Sequence, residues 1–169
     1  MLSGWWHETV EPQRREEAVT FFRQGYERQM QGALDAAVVC YKKSLEIHPT
    51  AEAHTFLGWA YSFMGRYQAA IEECLKAIAV DPDFGNPYND IGAYYVELGR
   101  LDDAIPWLEQ ATHAQRYESY CFPHYNLGRI WELRGHWQRA ADAYRRSLAA
   151  NPDYAPALQA LRRIQGWQN

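Results

Sequence analysis

A chain of 169 residues that is 47% hydrophobic and 22% charged is long enough to bury a core and too apolar to be disordered. A net charge of −4 argues against general nucleic-acid binding. The cysteines Cys40, Cys74 and Cys121 are scattered and odd in number, so they make neither a disulfide framework nor a zinc ligand set. No apolar run approaches the roughly 18 residues that span a membrane. The opening MLSGWWHETVEPQRREEA lacks the basic and apolar segments of a secretion signal, so a cytoplasmic protein is expected. Charge is unevenly spread: residues 1–115 hold 9 Lys/Arg against 17 Asp/Glu, a net of −8, and residues 116–169 hold 8 against 4, a net of +4.

The first segment, residues 1–17, is an N-terminal extension that leads into a helix. Pro12 and the charged run Gln13–Glu17 place the helix start near residue 12. Leu2, Trp5 and Trp6 are too apolar to stand in water without purpose. They either cap the adjacent end of the fold or lie in an aromatic groove, and the local cap needs no long loop.

From residue 18 a pattern recurs without a gap: a glycine, a second glycine seven residues on, an alanine five further. The sets are Gly25–Gly32–Ala37, Gly58–Gly65–Ala70, Gly92–Gly99–Ala104 and Gly128–Gly135–Ala140, with first glycines 33, 34 and 36 apart. Each unit is expected to hold two helices. In the second unit these cover roughly 52–64 and 67–80, each about three to four turns. The second glycine supplies the left-handed turn between them. The first lies inside helix one, where a side chain would hold helix two away. Pro49, Pro82 and Pro152 mark the ends of three units.

These features resemble the tetratricopeptide repeat, a helix–turn–helix unit of about 34 residues. The repeats align as 18–50, 51–84, 85–120 and 121–154. The place that usually holds Tyr reads Arg28, Tyr61, Tyr95 and Trp131. The place that usually holds Trp reads Phe21, His54, Tyr88 and His124. The third unit departs from the pattern: Arg116 stands where the proline belongs, and the unit is two residues long. Its second helix is expected to run on toward Tyr117 and bend before Cys121, with Pro106 tolerated near its start. Residues 155–169 begin like another first helix, but Arg162 replaces the close-packing glycine. That suits a capping helix with a polar outer face.

The resemblance implies an all-α, right-handed superhelical solenoid of four such repeats with a C-terminal capping helix. It further implies a non-enzymatic adaptor that binds a linear peptide segment of a partner in its concave groove. The alternative is an assembly subunit that self-associates through aromatic surface. Carried over position by position, the groove-facing residues are Phe22, Arg23, Tyr26, Phe56, Trp59, Phe63, Asn89, Asp90, Tyr125, Asn126 and Arg129. Aromatic rings would anchor apolar side chains, the amides would pair with peptide backbone, and Arg129 would take a carboxylate. Some family members clamp a partner's C-terminal carboxylate with lysines at places that here hold Phe22 and Asn86. The match survives only at Asn126 and Arg129, so that mode is not expected.

Catalytic motifs are missing from the sequence. The histidines form no HExxH, and Cys121-x-x-His124, the one close soft-ligand pair, occupies packing positions. There is no GxSxG, phosphate loop or dinucleotide fingerprint. No enzyme, cofactor or metal is expected. The expected partner is another protein or peptide, with no nucleic acid and no membrane insertion; a homodimer is allowed.

Overall fold

A computed structural model describes residues 12–167. The Trp5–Trp6 segment, with its two alternative burials, lies outside them. The described residues form nine helices: α1 (Pro12–Met30), α2 (Leu34–Ile47), α3 (Ala51–Phe63), α4 (Tyr67–Val80), α5 (Asn86–Glu97), α6 (Leu101–Ala111), α7 (Cys121–Leu133), α8 (Trp137–Ala150) and α9 (Ala155–Trp167). They pair as antiparallel hairpins α1–α2, α3–α4, α5–α6 and α7–α8, stacked in chain order, with α9 packed on α8. Among the described residues α1 also touches α3, α3 touches α5 and α5 touches α7, and no even-numbered pair packs comparably, so these helices line the inner side of the stack.

Each hairpin turns at its second glycine. Gly32, Gly65, Gly99 and Gly135 adopt φ of 72–76°. At every one of these turns the residue after the glycine sends its N–H back to the third-last residue of the helix, as Arg66 does to the Tyr61 carbonyl at 2.9 Å. This closure satisfies carbonyls that the helix end leaves orphaned.

The first glycine of each set lets the paired helices close. A Cβ at Gly92 would lie 2.4 Å from Leu108 Cγ, and one at Gly128 2.4 Å from Tyr144 Cε1. Tyr41, Leu57, Cys74 and Ile91, all fully buried or nearly so, share one core cluster, Leu108 lies in a second with Val96 and Ile130, and Tyr144 in a third with Ala140. Ala157, Ala160 and Ile164 of α9 close its far end, with Arg162 exposed on the outer side.

Two features of the third hairpin differ from expectation. α6 stops at Ala111, and does not run on toward Tyr117. The segment that follows leaves the helix to pair with the residues before α5: Arg116 N–H donates to the Asp83 carbonyl at 2.9 Å, and Gly85 N–H to the Arg116 carbonyl at 3.1 Å. Tyr117 then packs on Gly85, where a Cβ would lie 2.4 Å from the tyrosine's own. Arg116 does the work of a proline differently. Its guanidinium covers the Phe84 ring at 4.2 Å and bridges Glu52 and Asp81, both at 2.7 Å. Pro106 is the sixth residue of α6, beyond the first turn, so it removes a real intrahelical bond.

Candidate functional site

The inner helices bring the aromatic residues of the first two hairpins into one continuous run. Phe22 of α1 meets Phe56 of α3 at 5.1 Å between ring centroids, and Tyr26 meets Phe56 at 5.9 Å. Along α3, Phe56 meets Trp59 at 5.6 Å and Trp59 meets Phe63 at 5.5 Å. The spacing of three to four residues stacks these side chains on one helix face. Phe22 and Phe56 are partly buried against Tyr41 and serve the core as well. Tyr26, Trp59 and Phe63 stay 42%, 38% and 59% exposed. Arg23 of α1 is exposed.

The middle of the inner face is polar and internally bonded. Asn126 Nδ2 donates to Asn89 Oδ1 at 3.2 Å, and Asn89 Nδ2 to Asp90 Oδ1 at 3.3 Å. Both asparagines are buried, so part of the amide capacity that the sequence offers a ligand joins hairpins to each other. Burial pushes the Asp90 carboxyl up to about 7, with the Asn89 hydrogen bond opposing it. Arg129 donates to Glu97. Thr55, at a groove position by register, is buried and bonds the Ala51 carbonyl within its own helix.

At the far end Tyr125 packs between Tyr144 and Tyr154. Sequence reasoning does not single out Tyr154, whose ring lies 5.4 Å from both Phe122 and Tyr125. The one signal for it is positional: it follows Asn151-Pro152 as Phe84 follows Asp81-Pro82. Nor does it find the acid network of the second hairpin, where His54 Nδ1 and Lys76 Nζ both bond Glu73 at 2.7 Å. Burial by itself would raise the Glu73 carboxyl, but those two hydrogen bonds outweigh it and hold it below its ordinary value.

Three segments match the tetratricopeptide repeat family: residues 51–84, 88–116 and 121–154. The chain is 25% identical over 146 residues to the inactive TPR repeat-containing thioredoxin TTL3 of Arabidopsis thaliana, covering 83% of this chain and 21% of that protein. Among solved structures it superposes on Pseudomonas aeruginosa pilF with a TM-score of 0.85 at 24% identity, covering 92% of this chain and 71% of that one. It superposes on YrrB, described as a TPR protein with an unusual peptide-binding site, with a TM-score of 0.67 at 20% identity, covering 92% and 80%. At these identities the two structural likenesses show the fold alone. Among the described residues no helix is long and apolar enough to cross a membrane.

Proposed function

The chain belongs to the tetratricopeptide-repeat family, whose members generally mediate protein–protein interactions, and from that premise we propose that its inner face grips a linear peptide segment rich in apolar side chains. The observation that carries this reading is the aromatic run Tyr26–Phe56–Trp59–Phe63, in which Tyr26, Trp59 and Phe63 are exposed. Large rings left in water on rigid helices favour a partner that covers them, and they lose little side-chain entropy when covered. An acidic tail is the poorer fit, because Arg129 already holds Glu97. The role is that of a non-enzymatic adaptor.

The test is a selection of displayed peptides on the wild-type protein. The affinity of a selected peptide is then measured for wild type and for the Tyr26→Ala/Trp59→Ala variant. The reading expects an affinity loss of at least about tenfold, roughly 1.4 kcal/mol, with helical circular dichroism unchanged. Equal affinities would overturn it, and an unfolded double variant would assign both rings to the core. Met30 and Phe63, 53% and 59% exposed, favour a second reading in which two copies bury apolar surface of the inner helices against each other. Light scattering at several concentrations separates the two: that reading expects a dimer in the wild type and a monomer in the same double variant.

A further inference from the structure

The second and fourth hairpins are offset by 70 residues, so Gly58, Gly65 and Ala70 correspond to Gly128, Gly135 and Ala140. In this register His54 corresponds to His124, Lys76 to Arg146, and Glu73 to Ala143. In the second hairpin the three side chains form a closed network, with Glu73 between the imidazole and the ammonium and only 11% exposed. The fourth hairpin keeps the imidazole and the cation, but Ala143 brings no carboxylate. Among the described residues no acid bonds to His124 or Arg146. Burial, then Arg146 and His113, depress the His124 imidazole.

The same residues line a cleft of about 1020 Å³ whose walls come mainly from α6, α7, α8 and the segment after α6, with none of the aromatic run among them. It opens because α6 ends at Ala111 and the chain turns away toward Phe84, so α6 packs against α7 less closely than α4 against α5. Leu127 and Trp131 supply an apolar floor, and Arg139 lies over the Trp131 ring at 5.1 Å. Three acids also line the cleft: Asp83, Glu109 and Asp142. Of these Asp142 already accepts from Arg145 at 2.6 Å and from Gln138.

We propose that this cleft is a second binding site, in which a Glu or Asp side chain of a partner's peptide segment takes the place against His124 and Arg146 that Glu73 holds against His54 and Lys76. A cleft of this size, with an apolar floor beside the cations, fits an acidic side chain flanked by apolar neighbours better than a lone ion. The site is independent of the inner face.

The test follows the imidazole resonances of His124 by NMR while acetyl-Leu-Glu-Leu-amide, acetyl-Leu-Gln-Leu-amide or sodium acetate is added at constant ionic strength. The Glu peptide is expected to shift the His124 signals and raise the proton affinity of the ring about tenfold. The Gln peptide should leave them in place, and acetate should bind at least about tenfold more weakly than the Glu peptide. Ala143→Glu should raise the His124 proton affinity by itself and abolish the response to peptide. Should that variant not fold, Arg146→Gln carries the test, since Arg146 is exposed and its loss should weaken the Glu peptide about tenfold. Equal responses to the Glu and Gln peptides, or a response unchanged in either folded variant, would overturn the site. Acetate binding as tightly as the Glu peptide would overturn its assignment to a partner segment.

Discussion

Arg129 donates to Glu97 Oε1 at 2.9 Å, tying α7 to α5 through side chains that are 34% and 46% exposed. The arginine that the groove register offers to a ligand therefore already has a carboxylate. An ion pair this exposed contributes little, because water screens it and two long side chains must be ordered. Arg129→Ala is expected to lower stability by less than about 1 kcal/mol in urea denaturation. It should also leave the affinity of an apolar peptide for the inner face within about twofold. A stability loss above about 2 kcal/mol would mean that the pair is a principal tie between the two hairpins.

Gly92→Leu should be far more damaging. Even a Cβ at this site would lie 2.4 Å from Leu108 Cγ and 3.3 Å from the Ala104 carbonyl oxygen, and Leu108 is fully buried. Overpacking a rigid core costs about 1–3 kcal/mol for modest insertions, and a whole isobutyl group should exceed that range. A melting temperature unchanged by this substitution would contradict the close approach of α5 and α6.

Gly65→Ala isolates a different cost. An added Cβ there would meet nothing within 4 Å, but φ is +72°. The expected loss is about 1–2 kcal/mol, from backbone conformation alone. Gly65→Asn should lose less, since asparagine enters that region more readily. If alanine costs nothing measurable, steric strain at this turn is not what glycine relieves.

Asp90 should make stability fall as pH rises. Burial lifts its folded pKa to about 7, whereas an unfolded aspartate releases its proton near pH 3.9. Between those values the folded state binds more protons than the unfolded one. Its stabilising contribution is thus present below about pH 4, declines up to about pH 7 and is lost above it. Asp90→Asn keeps the acceptor for the Asn89 amide and removes the charge. It should stabilise the protein at pH 8 by about 2–4 kcal/mol and flatten this part of the pH profile. Parallel wild-type and variant profiles in denaturant titrations would show that Asp90 ionises freely when folded.

The hairpins were legible because their causes are local. A glycine at positive φ and a glycine under a facing side chain act within one unit, as Gly92 does with Leu108, so each leaves a mark at fixed spacing. The aromatic character of the first half of the inner face was legible for the same reason. A helix repeats its face every three to four residues, and Phe56, Trp59 and Phe63 follow that period.

What the stack decided lies between units. Arg116 bonds Glu52, 64 residues away, and Asn126 bonds Asn89, 37 residues away. Polar side chains carry no periodic signal that names a partner, since water satisfies them equally well until neighbouring hairpins bring an acid or amide within reach. α6 shows the same limit in the backbone. An apolar pattern continuing to Tyr117 is compatible with more helix, but burying that ring on Gly85 and pairing Arg116 with Asp83 require the chain to leave the helix at Ala111. Those partners exist only once the third hairpin has docked, because they belong to the seam before α5, more than 25 residues earlier in the chain.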